Sequence, residues 1–240
     1  MEKVKIRILG LSATPIMDGN CDKLVQCALK TAEELGGVET EFITTADKEI
    51  KVCKHCQWCI ENRAPCKFKD DVHEILDRIE RCDGLIIGSP TWINSLSPFL
   101  LNIFSRARYQ VFFTNKFRNK VAGLLTLGFF GIGLERAIDI MRNVVIAFNI
   151  IPVAEATTLS STAAYGERPA YMEKGVLGDE KGINNTKNVS TRVVELSRMI
   201  KYARLAEVGL PEHLQHTVVG GNVKKADQKI FVDGVWRDKQ

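Results

Sequence analysis

The sequence predicts an α/β protein: a doubly wound, five-stranded parallel sheet with helices on both faces. Two observations carry this. Strand-length apolar runs alternate with helical patterns along the chain, the order that joins parallel strands through helical crossovers. The runs "DGLIIGSP" (Asp83 to Pro90) and "VAGLLTLG" (Val121 to Gly128) are continuously apolar, as strands buried on both faces must be.

The first strand is "VKIRILGL", Val4 to Leu11. Beyond a polar loop, Leu24, Val25, Ala28, Leu29, Ala32 and Leu35 recur at helical spacing and make one apolar face of a helix over Asp22 to Leu35. Gly36 and Gly37 end it. The second strand, Val38 to Ile43, alternates apolar with polar, as a half-solvated edge strand does. Further helices are expected over Asp71 to Arg81, Pro98 to Tyr109 and Leu134 to Asn149. The fifth strand, Ile150 to Ala156, contains Pro152, which cannot donate to a ladder and belongs at an edge or a strand start. Placing the alternating and proline-bearing strands at the two edges gives the order 2-1-3-4-5. That is the flavodoxin-like order, whose ligand crevice lies beyond the carboxyl ends of strands one and three.

An amphipathic helix over Asn188 to Ala206 closes the last face of the sheet, completing a domain over residues 1–207. In the tail, 208–240, "KIFVDGVWRD" (Lys229 to Asp238) has the Asp-Gly signature of a two-residue hairpin. Because an isolated hairpin is marginal, Phe231, Val235 and Trp236 are expected to pack on this subunit or a neighbour.

Composition excludes several function classes. The chain has 240 residues, of which 45% are hydrophobic and 26% charged, the profile of a soluble globular protein. Its formal charge of +4 is dispersed, too little to argue for nucleic acid. There is no apolar run of membrane-spanning length, and the strand pattern that follows "MEK" leaves no room for a signal peptide, so a cytoplasmic location with no membrane partner is expected. Disulfides are disfavoured in that compartment, so clustered cysteines there point to metal or redox chemistry.

The first crevice loop, "GLSATPIMDGNCDKL", sets Ser12, Thr14, Asn20 and Cys21 just before a helix N-terminus, where backbone N–H groups and the helix dipole favour a phosphate. It lacks both the G-x-G-x-x-G spacing and the Gly-Lys-Ser/Thr of a P-loop, so a phosphate bound there belongs to a mononucleotide; the plain alternative is a polar loop capping a helix. The second loop, "GSPTWINSLSPFLLNIFSRAR", suits a flat ring held against backbone, although Trp92 taken alone reads equally as a core aromatic.

Four of the seven cysteines, Cys53, Cys56, Cys59 and Cys66, are spaced C-x2-C-x2-C-x6-C. A cubane iron-sulfur cluster needs four thiolates around one compact centre, and closely spaced cysteines wrap one side of it. Zinc is the rival, although four-cysteine zinc sites usually come as two separated pairs; redox-active or inert thiols remain a third reading. His55 and Trp58 are spacers in this loop. Cys27 and Cys82 read as small apolar residues, Cys21 as a protonated thiol able to donate beside a phosphate, and the pair His213 and His216 as a surface coincidence.

The segments Ser12 to Cys21 and Ser89 to Arg106, with the cysteine motif between them, resemble the iron-sulfur flavoproteins of archaea and anaerobic bacteria, a branch of the NAD(P)H-dependent FMN reductase group. The resemblance implies a homodimer or dimer of dimers, one FMN and one [4Fe-4S] cluster per chain, electron transfer, and a low-potential donor such as ferredoxin. It places the phosphate on Ser12, Thr14, Asn20 and Cys21, the ring near Pro90, Thr91, Trp92, Asn94 and Ser95, and the cluster on Cys53, Cys56, Cys59 and Cys66 within loop 50–70. Three features depart from the family pattern: Ile16 and Met17 stand where many relatives carry a basic residue, Asn94 stands where they often have glycine, and Ser105-Arg106 replaces the common Asp-Arg. The expected activity is electron transfer between cluster and FMN, with an FMN or quinone reductase and a redox-sensing regulator as alternatives. Both loops are expected at the same end of the sheet, with the cysteine loop facing a neighbouring subunit.

Overall fold

The computed structural model describes residues 4–129, 131–160 and 175–211, and short strands at 216–217, 221–222, 229–232 and 235–238. Its centre is a parallel sheet of β1 (Ile6–Ser12), β2 (Val38–Thr44), β3 (Gly84–Trp92), β5 (Val121–Phe129) and β6 (Ile151–Ser160), in the order β2-β1-β3-β5-β6. The short β4 (Ser95–Leu96) pairs antiparallel with β3 off this path. Apart from β4, the order is the expected 2-1-3-4-5.

Alternation along the central strands feeds two cores. Leu9, Leu11, Leu85 and Ile87 point into the layer formed by α3 (Val72–Arg81), α4 (Pro98–Ser105) and α5 (Leu134–Ala147). Ile6, Ile8 and Ile86 point into the layer formed by α1 (Asn20–Glu34) and α6 (Glu180–Leu205). Period-two strands thus deliver apolar side chains to both faces, as a doubly wound sheet requires. A further single helical turn, α2 (Trp58–Glu61), lies in the cysteine-rich loop.

Several boundaries differ from the sequence expectation for identifiable reasons. α6 begins at Glu180, well before Asn188, because Asp179 caps it by accepting from the Gly182 amide at 3.0 Å. The weak helix formers Gly182, Asn184 and Asn185 mask that first part in the sequence. α4 stops at Ser105 instead of Tyr109 and is followed by a π-helical turn over Gln110–Thr114. In β6 the pairing passes from Pro152 to Ala154 while the partner moves only from Ala122 to Gly123. Val153 is therefore a bulge residue beside the proline, on the edge strand where a missing donor is tolerated.

In the tail, β9 (Lys229–Val232) and β10 (Val235–Asp238) form the expected hairpin, and β9 runs beside α2. β7 (His216–Thr217) pairs with β8 (Gly221–Asn222). The Asp233-Gly234 turn, His213 and the packing of Phe231, Val235 and Trp236 lie outside the described residues. No described helix is long and apolar enough to cross a membrane.

α1 sits on the sheet at close range because β1 and β3 offer glycines beneath it. A Cβ on Gly88 would meet Val25 Cγ2 at 2.4 Å and Cys21 Sγ at 3.2 Å. Gly88→Val is expected to destabilise the fold by about 1–3 kcal/mol through overpacking. Urea denaturation checks this, and an unchanged midpoint would show that α1 can lift without cost.

Candidate functional site

At the carboxyl ends of the strands three loops surround a cavity of about 210 Å³. Thr14, Asn20 and Cys21 line it from the first loop, and Pro90, Thr91 and Trp92 from the second. Leu127, Gly128 and Phe129 come from the end of β5, and Ser160 from the end of β6. Six of the nine sequence-predicted flavin residues therefore share one wall. Ser12 is fully buried behind it, Asn94 faces an adjoining cavity, and Ser95 pairs with Trp92 in the β3–β4 hairpin.

The first loop is held from within. The Ile16 amide donates to Thr14 Oγ1 at 3.2 Å, and the Thr45 hydroxyl donates to the Thr14 carbonyl at 2.8 Å. No side chain caps the N-terminus of α1, which leaves its first turn available to an anion. Asn20 has a second duty, because its Oδ1 accepts from the Val176 amide at 2.9 Å and ties the loop to the turn ahead of α6. Burial pushes the Cys21 thiol up to about 12, so it stays protonated and can donate. Asp22 is also buried, and desolvation raises its carboxyl, against the hydroxyls of Ser12 and Thr44. Ile16 and Met17 are exposed at the positions that lack a basic residue. Phosphate charge there has backbone amides and the helix dipole to meet it.

The second loop is a tight hairpin. Between the paired Trp92 and Ser95, Ile93 and Asn94 have φ of 44° and 60°, the two positive values of a type I′ turn. Asn94 accepts such a conformation readily; a β-branched residue such as Ile93 does so only under strain. Trp92 is 41% exposed and meets Phe99 edge-on at 6.4 Å, so it is a wall of the crevice and not a core aromatic.

The third loop was not singled out in the sequence. Gly133, at φ 77°, approaches the hairpin so closely that a Cβ would lie 2.7 Å from Asn94 Cα. Gly131 and Gly133 join Asn94 around an adjoining cavity of about 400 Å³. The signal was "GFFGIG" at the carboxyl end of a buried strand, a run that allows close backbone approach. An aromatic wall, polar groups at one end and an uncapped helix terminus together fit a flat ring with an anionic tail.

All four clustered cysteines, Cys53, Cys56, Cys59 and Cys66, line a second cavity. His55, Gln57 and Arg63 adopt left-handed conformations, with φ of 52°, 60° and 49°, which turn the chain sharply between successive cysteines. α2 then carries Cys59. Burial raises the Cys59 thiol; the Arg108 cation opposes that rise, and Cys66 and Cys53 add to it. Cys53, Cys59 and Cys66 are thus close enough to feel one another's charge. Among the described residues, no group of three or more His, Cys, Asp or Glu side chains converges on one centre. A set of four thiols on one cavity wall fits a thiolate-ligated cluster or metal in donor chemistry.

The stems of this loop are zipped together. The Glu49 amide donates to Asp71 Oδ2 at 2.7 Å, the Asp71 amide to the Glu49 carbonyl at 3.1 Å, and the Lys51 amide to Asp70 Oδ2 at 2.9 Å. Arg106 pairs with Asp70, and both side chains are 0% exposed. Burial alone would raise the Asp70 carboxyl, but the Arg106 guanidinium and the Lys51 and Val72 amides outweigh it and hold the group below the usual range. The zip carries the loop along the flank of the sheet to the C-terminal end of α4. There Ser105, Arg106 and Arg108 complete the cysteine cavity. The flavin-type cavity lies at the other end of α4, whose eight residues span about 12 Å. The two sites are thus set apart along α4, although the cysteine loop leaves the sheet at the carboxyl end of β2, the end expected for both.

The family described as NADPH-dependent FMN reductase matches residues 6–164. An iron-sulfur flavoprotein of Methanocaldococcus jannaschii is 34% identical over 200 residues, covering 82% of this chain and 100% of its own. One from Archaeoglobus fulgidus is 27% identical over 206 residues, covering 83% of this chain and 99% of its own. Among solved structures, RosB with a bound 8-demethyl-8-formylriboflavin-5'-phosphate intermediate superposes with a TM-score of 0.62 at 20% identity, covering 89% of this chain and 92% of its own. A WrbA-like flavodoxin from Agrobacterium tumefaciens gives 0.55 at 12% identity, covering 81% of this chain and 99% of its own. The flavodoxin-like crevice, the cysteine cavity and these relatives agree: the chain belongs to the NADPH-dependent FMN reductase family, within its iron-sulfur flavoprotein branch.

Proposed function

We propose that this FMN-type redox protein moves electrons between a [4Fe-4S] cluster on Cys53, Cys56, Cys59 and Cys66 and an FMN in the crevice of Thr14, Asn20, Cys21 and Trp92. It joins a low-potential one-electron donor such as ferredoxin to a two-electron acceptor, in the cytoplasm. The observation that carries this is the gathering of all four cysteines on one cavity wall in a chain that has a separate flavin-type crevice. The cluster passes electrons singly, whereas FMN holds one or two, and such cofactors carry the chemistry while the protein binds and tunes them.

The chain's own residues supply the remaining parts. Cys21 keeps its proton and donates toward the phosphate end; Trp92 and Pro90 wall the ring. Lys51, Lys54, Lys67 and Lys69 are exposed around the cysteine loop, against two exposed acids, Glu61 and Glu49, the latter paired with Lys51 at 3.1 Å. That collar suits an acidic one-electron partner, since complementary charge steers encounter. The separation of the two cavities along α4 favours a homodimer or dimer of dimers in which the cluster of one subunit serves the flavin of another. The family description favours one alternative, an NAD(P)H-dependent FMN or quinone reductase whose cysteines hold zinc or nothing. Anaerobic purification with iron, sulfide, zinc and flavin assays separates the two.

Three outcomes follow. Cys53→Ala, Cys56→Ala, Cys59→Ala and Cys66→Ala should each strip most iron and leave FMN bound; wild-type cluster content in any one removes that residue from the ligand set, and zinc without iron in the wild type sinks the cluster. Trp92→Ala, at a partly exposed position that the fold tolerates, should weaken FMN binding at least tenfold, about 1.4 kcal/mol, with iron unchanged. Undiminished affinity, measured by fluorescence titration, would place the ring elsewhere. Mixed dimers of a Cys53→Ala chain and a Trp92→Ala chain, at flavin concentrations that leave the latter empty, should retain rapid cluster-to-flavin transfer in stopped-flow absorbance. Its disappearance, with wild-type dimers still active, would put the path inside each subunit.

A further inference from the structure

Arg106 is among the largest fully buried side chains of the protein, at 2% exposure. Its Nη1 donates to the Lys51 carbonyl at 3.3 Å and pairs with the Asp70 carboxylate. Its Nη2 donates to the Phe68 carbonyl at 3.3 Å. Lys51 lies two residues before Cys53 and Phe68 two residues after Cys66, so one guanidinium grips both stems of the cysteine loop. The guanidinium also stacks over the Phe68 ring at 5.4 Å. Its Nε is buried with no hydrogen-bond partner, and Ser105, Arg106 and Cys66 line the same cavity.

Burying a guanidinium is costly, and its pairing with Asp70 accounts for charge balance only. A loop needing no more than closure could use backbone pairing, which it already has between Glu49 and Asp71. Arg106 instead places a permanent cation and an unspent N–H beside the last cysteine of the motif. Charge and hydrogen bonds close to a cluster's sulfurs are among the factors that set its reduction potential.

We infer that Arg106 is a positioning residue for the cluster: it fastens both stems of the cysteine loop and turns a cationic edge toward Cys66, which favours the reduced state. This rests on the cluster reading above. It assigns a role that no cysteine variant would reveal. Lysine cannot replace it, because an ammonium lacks the planar fork that reaches two carbonyls and a carboxylate at once.

Two variants test it, with iron content measured first. If the wild type binds no iron, the cluster reading fails irrespective of Arg106. With iron present, the double variant Arg106→Gln/Asp70→Asn removes both charges together and leaves no unpaired buried ion. It should load iron yet be harder to reduce, its reduced-to-oxidised ratio at the wild-type midpoint falling about tenfold, equivalent to roughly 59 mV for one electron. Arg106→Lys keeps the charge and loses the fork. In the cluster-free chain its Lys51 amide and loop amides up to Phe68 should exchange hydrogen at least tenfold faster than in the wild type. An iron-loaded double variant with the wild-type midpoint would overturn the electrostatic role, and wild-type exchange in Arg106→Lys would overturn the fastening role.

Discussion

The buried pair of Arg106 and Asp70 is the constraint on which the cysteine site depends. Two charges withdrawn from water survive only if each finds further partners. Asp70 accepts from the amides of Lys51 and Val72, and Arg106 donates to the carbonyls of Lys51 and Phe68. Every one of those partners is backbone of the loop stems or of the start of α3. The pair's desolvation cost is therefore offset only when the stems are in place, so the electrostatics and the loop geometry stand or fall together. A hydrophobic pair of equal volume would pack there but would leave the carbonyls unserved. Beside this arginine in sequence stands Ser105, not an acid. The carboxylate is supplied instead from across the loop, by Asp70.

The flavin-type crevice rests on a different principle, close approach. Gly88 lets α1 settle on the sheet, and Gly133 lets the third loop touch the β3–β4 hairpin. Ile93 holds a left-handed conformation that its branched side chain resists, and it is fully exposed. Strain of that kind persists where surrounding contacts over-determine the backbone, which is common beside ligands. The hairpin's pairing of Thr91 with Leu96 and Trp92 with Ser95 supplies such contacts.

Much of this was legible in the sequence. Unbroken apolar runs can be central strands only if both faces are covered, and the strand with proline needed an edge; those two facts set the sheet order. Cysteine spacing told which four thiols belong together, because three of them recur every third residue and wrap one side of a compact centre. Residues whose roles depend on distant partners were not legible. Asn20 reads in sequence as a phosphate contact, while its bond to the Val176 amide joins positions 156 residues apart. Arg106 reads in sequence as the end of a family segment, and only the fold brings it to Asp70 and Cys66.

By itself, then, the sequence determined the layering of the sheet, the ligand-bearing ends of its strands and the donor set of the cysteine loop. These follow from period, composition and spacing, which are local quantities. Tertiary structure decided the third crevice loop, the burial that keeps Cys21 protonated and the clamp at Arg106. It also decided that α4 stands between the two cavities. Each of these is set by desolvation or by contact between segments remote in the chain, and neither leaves a periodic trace in the residues themselves.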